Sequence, residues 1–171
     1  LEALANLPPD EAARCHTILH EHERRGAERA VALPGASAFL DGLAARGMAR
    51  GIVTRNNRTV TLAMLSRLEL HVDSILCRED APPKPDPAAL WKTCEAWGLA
   101  PGQCAMTGDY RVDIEAARAA GMHAVLFTGS GGPSGLADHD AVDFTLGSFE
   151  NAGAFWDWAA QIDLEGGAPS C

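Results

Sequence analysis

Between Val31 and Thr128, short apolar runs alternate with stretches of helical texture, and this alternation constrains the fold more than any other feature of the chain. The apolar runs are MARGIVT, SILC, CAMTGD and AVLFT. Between them lie NRTVTLAMLSRLEL, DPAALWKTCEAWG and DIEAARAAG, and LPGASAFLDGLAARG, ending at Gly47, precedes the first. Strands joined through helices need crossover connections, which are right-handed and leave the strands parallel with helices on both faces. The expected architecture is an α/β three-layer sandwich around a mostly parallel, Rossmannoid sheet. FTL at 144–146 reads as a possible edge strand and AGAFWDWAAQI as the last helix. Trp91, Trp97, Trp156 and Trp158 read as core or half-buried packing residues.

The segment before this alternation has another texture. PPDEAARCHTILHEHERRGAER is polar and helical, with Asp10 placed to cap its first turn, and reads as an appendage. The expected division is a small helical segment over 1–30, an α/β core over 31–163 and a frayed tail over 164–171. His16 and His20 stand one helical turn apart and could share a metal, but no third ligand accompanies them; a solvated helix face is the simpler reading.

Charge and cysteine usage exclude several classes. Lys and Arg number 14 against 23 Asp and Glu, a formal charge of -9 without a basic patch, so neither nucleic acid nor an anionic membrane surface is an expected partner. No apolar run approaches the ~20 residues of a membrane span. Cys15, Cys77, Cys94, Cys104 and Cys171 are odd in number and form no CxxC, which fits a reducing, intracellular setting, cytoplasmic or organellar. The loop GSGGPSG lacks the GK[ST] of a phosphate-cradling motif, and Asp138-His139-Asp140 reads as a solvated acidic loop.

In parallel sheets ligands bind beyond the carboxyl ends of the strands, so the residues following each apolar run are the candidates. They are Thr54, Lys84 in APPKPDPAAL, and Asp109 and Asp113 in TGDYRVDIEAARAAGM. Two carboxylates one turn apart can face one point, and like charges that close need a cation; a hard divalent ion such as Mg²⁺ suits oxygen ligands. The plainer alternative is that Asp113 caps its helix while Asp109 takes turn hydrogen bonds. Gly108 beside them permits tight backbone packing or an unusual φ. Prolines flanking Lys84 predetermine its position, and its ammonium can serve phosphate oxygens or a neighbouring carboxylate, or else stand exposed in a turn. Thr54 precedes Asn56 and Asn57, either of which can cap the next helix. It offers a hydroxyl to an anion, or forms a simple hydroxyl-capped turn.

Thr at a strand end, then KPDP, then GDYRVD, in that order, resemble the second, third and fourth motifs of the haloacid dehalogenase-like (HAD-like) hydrolase superfamily, and the resemblance runs from about Leu33 to Thr128. It implies a Mg²⁺-dependent phosphatase that forms an aspartyl-phosphate on a small phosphorylated metabolite. Thr54, with Arg55, would bind the phosphoryl group, Lys84 would stabilise it, and Asp109 with Asp113 would hold Mg²⁺. The superfamily's first motif, DxDGT on a first strand, has no counterpart in these residues. Because that strand lies in mid-sheet, a longer parent protein is expected to contain it. Leu1 in place of an initiator Met supports that expectation. The chain by itself is expected to be inactive, and its first 30 residues are the remnant of a small cap.

A catalytically silent scaffold on the same fold is the alternative from another class. A receiver domain would order its acidic pair first and lysine last, contrary to the order here. Within the superfamily a dehalogenase or phosphomutase stays open, although dehalogenases need no metal and the acidic pair argues against them.

Overall fold

The computed structural model describes residues 8–129 and 141–165. The glycine-rich loop from 130, Asp138-His139-Asp140 and residues 166–171 lie outside the described residues, as do the side chains of His16 and His20. The elements run α1 (Pro9–Arg29), α2 (Ala36–Ala45), β1 (Gly51–Val53), α3 (Arg58–Arg67), β2 (Ser74–Leu76), α4 (Ala88–Trp97), β3 (Ala105–Gly108), α5 (Arg111–Ala120), β4 (His123–Phe127), β5 (Phe144–Leu146) and α6 (Gly153–Glu165).

Local chemistry sets most of these boundaries. Asn57 precedes α3 and its Oδ1 accepts the Val60 amide at 2.8 Å, which chooses between the two candidate asparagines. Gly121 closes α5 at φ 78°, a conformation that glycine adopts without steric cost. Asp10 does not cap α1. Pro9 takes the first helical position and Pro8 the cap position, so Asp10 falls inside the first turn, where its charge still complements the helix dipole.

Every strand pairing is parallel, as the alternation requires, but the strands form two sheets. β1 pairs with β2 from Gly51↔Ser74 to Val53↔Leu76, and β3, β4 and β5 form the second sheet in that order. Among the described residues, one edge of β1 and one edge of β3 have no strand partner. Both edges face a cavity of about 780 Å³ lined by Ile52, Val53, Ala105, Met106, Thr107 and Gly108, with Phe39, Trp97 and Phe155 among the apolar groups around it.

The core is built outward from β4. Ala124 and Leu126 join Leu90, Cys94, Ile114 and Ala117 on one face, and Val125 joins Phe39, Leu146 and Phe155 on the other. The strand's two-residue period thus supplies both helical layers. Trp97, Trp156 and Trp158 pack against these clusters. Trp91 is 49% exposed, contrary to the expectation of a packing role; it lies on the outer side of α4, its indole donating to the Ala120 carbonyl at 3.2 Å. Cys15, Cys77, Cys94 and Cys104 are free thiols.

Candidate active site

The carboxyl ends of β1 and β3 bring the candidate residues to one rim. Thr54 directly follows β1, and its amide extends the β1–β2 ladder to the Leu76 carbonyl at 2.9 Å. Its Oγ1 accepts the Asn56 amide at 3.1 Å, the hydroxyl-capped turn weighed above. That turn fixes the hydroxyl and leaves its proton available to an oxygen acceptor.

The turn leaving β2 is shaped by Asp80, whose Oδ2 accepts the Cys77 amide at 2.6 Å and pairs with Arg58 at 2.6 Å. These contacts, the amide first and the guanidinium second, hold the Asp80 carboxyl below the usual range. Beyond it come the prolines, with a cis Lys84–Pro85 bond, and Asp86, which accepts the Ala88 amide at 2.9 Å to start α4. Between these anchors Lys84 points inward, its side chain only 12% exposed. Its Nζ lies 2.6 Å from Asp113 Oδ1 and donates to the Val53 carbonyl at 3.1 Å. The ammonium therefore spans the gap between the two sheets, and the exposed-turn alternative does not describe it.

Asp113 is the third residue of α5 and its side chain is 7% exposed. One oxygen meets Lys84; the other accepts the Tyr110 amide at 3.1 Å, closing the first turn of the helix. Capping and charge pairing thus coexist in one carboxylate. Gly108 makes this possible, because a Cβ at that position would overlap the Cβ, Cγ and Oδ2 of Asp113. Close approach, rather than an unusual φ, is what the glycine provides. Asp109 is exposed and lines the larger cavity together with Lys84 and Asp113.

Thr54, Arg55 and Lys84 line a second, smaller cavity of about 300 Å³, walled by Val53, Cys77, Ala81, Pro82, Pro83 and Ala89. Lys84 belongs to both cavities, so the threonine side and the acidic side of the rim meet at its ammonium. Arg78 also lines the smaller cavity and was not foreseen; no local pattern marks it, because its place is set by pairing with Glu23 on α1. Among the described residues no group of three or more His, Cys, Asp or Glu side chains converges. Asp109 and Asp113 supply oxygen donors of the kind a hard divalent cation takes.

The haloacid dehalogenase-like hydrolase family matches residues 3–127, and the chain belongs to that family. It is 29% identical over 159 residues to a haloacid dehalogenase-like hydrolase domain-containing protein of Arabidopsis thaliana, covering 88% of this chain and 64% of that protein. A phosphoglycolate phosphatase of Cupriavidus necator is 31% identical over 152 residues, covering 84% of this chain and 65% of the enzyme. The chain thus spans less than two thirds of the length of either relative. A hydrolase from Pseudomonas syringae superposes with a TM-score of 0.74 at 22% identity, covering 90% of this chain and 71% of that structure, which places the fold. No helix among the described residues is long and apolar enough to cross a membrane.

Proposed function

We propose that this rim is the phosphate site of a Mg²⁺-dependent phosphatase acting on a small phosphorylated metabolite. The observation that carries the reading is Lys84, secluded between the sheets at 2.6 Å from Asp113 and 3.1 Å from the Val53 carbonyl. An ammonium fixed there neutralises the equatorial oxygens of a transferring phosphoryl group without reorganising. Thr54 donates its hydroxyl to one of those oxygens, and Arg55, which lines the smaller cavity with it, adds positive charge there. Asp109 and Asp113 would hold Mg²⁺, which would supply charge neutralisation at the phosphate oxygens. Asp113 also keeps the lysine in register through its other contact.

The nucleophilic carboxylate of an aspartyl-phosphate mechanism is assigned to a further strand seated between β1 and β3, whose facing edges line the larger cavity. The relatives that are phosphoglycolate phosphatases make a small phosphorylated acid the first substrate to test.

In the full-length protein, Asp109→Ala is expected to abolish Mg²⁺-dependent hydrolysis of an aryl phosphate and leave circular dichroism unchanged. Undiminished hydrolysis removes Asp109 from the metal site.

A further inference from the structure

Helix α1 carries ion pairs on its exposed surface, such as Arg24 and Arg25 with Glu21, yet one of its carboxylates is secluded: the Glu23 side chain is 11% exposed. Its two oxygens are divided between two residues of the core. Oε2 accepts the Asn57 side-chain amide at 2.8 Å, and Oε1 pairs with Arg78 Nη1.

Both partners frame the loop that carries Thr54. Asn57 is 6% exposed; its Oδ1 caps α3, and its backbone carbonyl receives the Thr61 amide at 3.0 Å and hydroxyl at 2.8 Å. Arg78 is 19% exposed on its side chain, with Glu79 3.9 Å from its Nε. Its amide donates to the Asn56 carbonyl at 3.2 Å, and its side chain lines the cavity shared by Thr54, Arg55 and Lys84. A single carboxylate on α1 thus reaches both Asn57, which ends the Thr54–Asn57 loop, and Arg78, whose backbone amide holds the Asn56 carbonyl. Further along α1, Arg67 of α3 donates to the Ala27 carbonyl at 2.7 Å and to that of Ala30.

A carboxylate, a guanidinium and an amide withdrawn from water are stable only together, because removing one leaves the others desolvated and unpaired. Undocking α1 would take from Arg78 its nearer carboxylate, leaving Glu79 at 3.9 Å, and from the Asn57 side-chain amide its acceptor, so that the loop would lose both restraints. We propose that Glu23 is a positioning residue: it couples the seating of α1 to the phosphate-binding form of the Thr54–Asn57 loop, so that phosphate binding and helix docking reinforce each other. The inference rests on the assignment of Thr54 and Lys84 to phosphate.

The test is titration of inorganic phosphate into the full-length protein with Mg²⁺, followed by calorimetry and by the Asn57 side-chain amide signal in NMR. Thr54→Ala and Lys84→Met are controls for the site itself; if neither weakens binding, the phosphate site is wrongly placed and the failure lies there. With those controls impaired, Glu23→Ala is expected to lower phosphate affinity about tenfold and to shift the Asn57 signal. The sign is decisive, because freeing Arg78 makes the cavity more positive, and electrostatics alone would raise the affinity. Glu23→Gln keeps the shape and the acceptor for Asn57 but not the pair with Arg78, and is expected to lose about threefold. It decides the matter if the alanine variant does not fold. Affinity unchanged or raised in the folded Glu23 variant overturns the coupling, even if α1 becomes sensitive to protease.

Discussion

Strands β4 and β1 have similar neighbours in sequence and very different surroundings. β4 has a strand on each side and a helical layer on each face, and Ala124, Val125 and Leu126 are 0%, 0% and 1% exposed. Among the described residues β1 has one strand neighbour, and none of its own three residues is fully buried. Lys84, Asp109 and Asp113 gather on the incompletely covered side, where polar groups can reach a ligand at less desolvation cost. Strand burial in this chain is concentrated in β4, and chemistry is assigned to the gap between β1 and β3.

The largest expected stability effect tests that contrast directly. Leu126→Ala removes a side chain packed on all sides and is expected to cost about 2–5 kcal/mol, measured as a lowered urea midpoint. Ile52→Ala in β1, partly buried beside the cavity, is expected to cost roughly 1 kcal/mol. Equal losses would erase the distinction between the two strands.

That distinction is only partly legible in the sequence. The alternation of runs and helices foretells parallel strands, and the order Thr54, Lys84, Asp109, Asp113 foretells which residues meet at one rim, because strand ends and turn residues are local signals. The division into two sheets is a matter of pairing between distant strands, which no local period encodes. Glu23 was equally hidden: on a polar helix it looks like any solvated carboxylate, and only Asn57 and Arg78, 34 and 55 positions later, seclude it. Asp10 and Trp91 misled for related reasons, a neighbouring proline displacing the cap and a helix face turning the indole outward.

A smaller effect sharpens the comparison at the boundary between the halves. Gly108→Ala inserts a methyl group where Asp113 already stands and is expected to destabilise by about 1–3 kcal/mol. Because the displaced group is the partner of Lys84, phosphate affinity should fall with it. Destabilisation without loss of phosphate affinity would separate Asp113 from the site.

The subtlest test is alkaline pH. Burial, with Cys94 beside it, pushes the Cys104 thiol up to about 12. An unfolded thiol ionises near about 8.5. Below that pH both states hold the proton and the contribution is intact; above it the unfolded chain sheds its proton first, so stability falls as pH rises. Cys104→Ala is expected to flatten that decline in urea titrations at successive pH values. An unchanged slope would place the ionising group elsewhere.

The most direct measurement of the central claim is release of phosphate from 2-phosphoglycolate and from an aryl phosphate by the full-length protein, with and without Mg²⁺, comparing wild type with Lys84→Met. Mg²⁺-dependent release by the wild type that falls at least about a hundredfold in the variant, with secondary structure retained, is the predicted result. Equal release by the two proteins would contradict the assignment of the rim to phosphate chemistry.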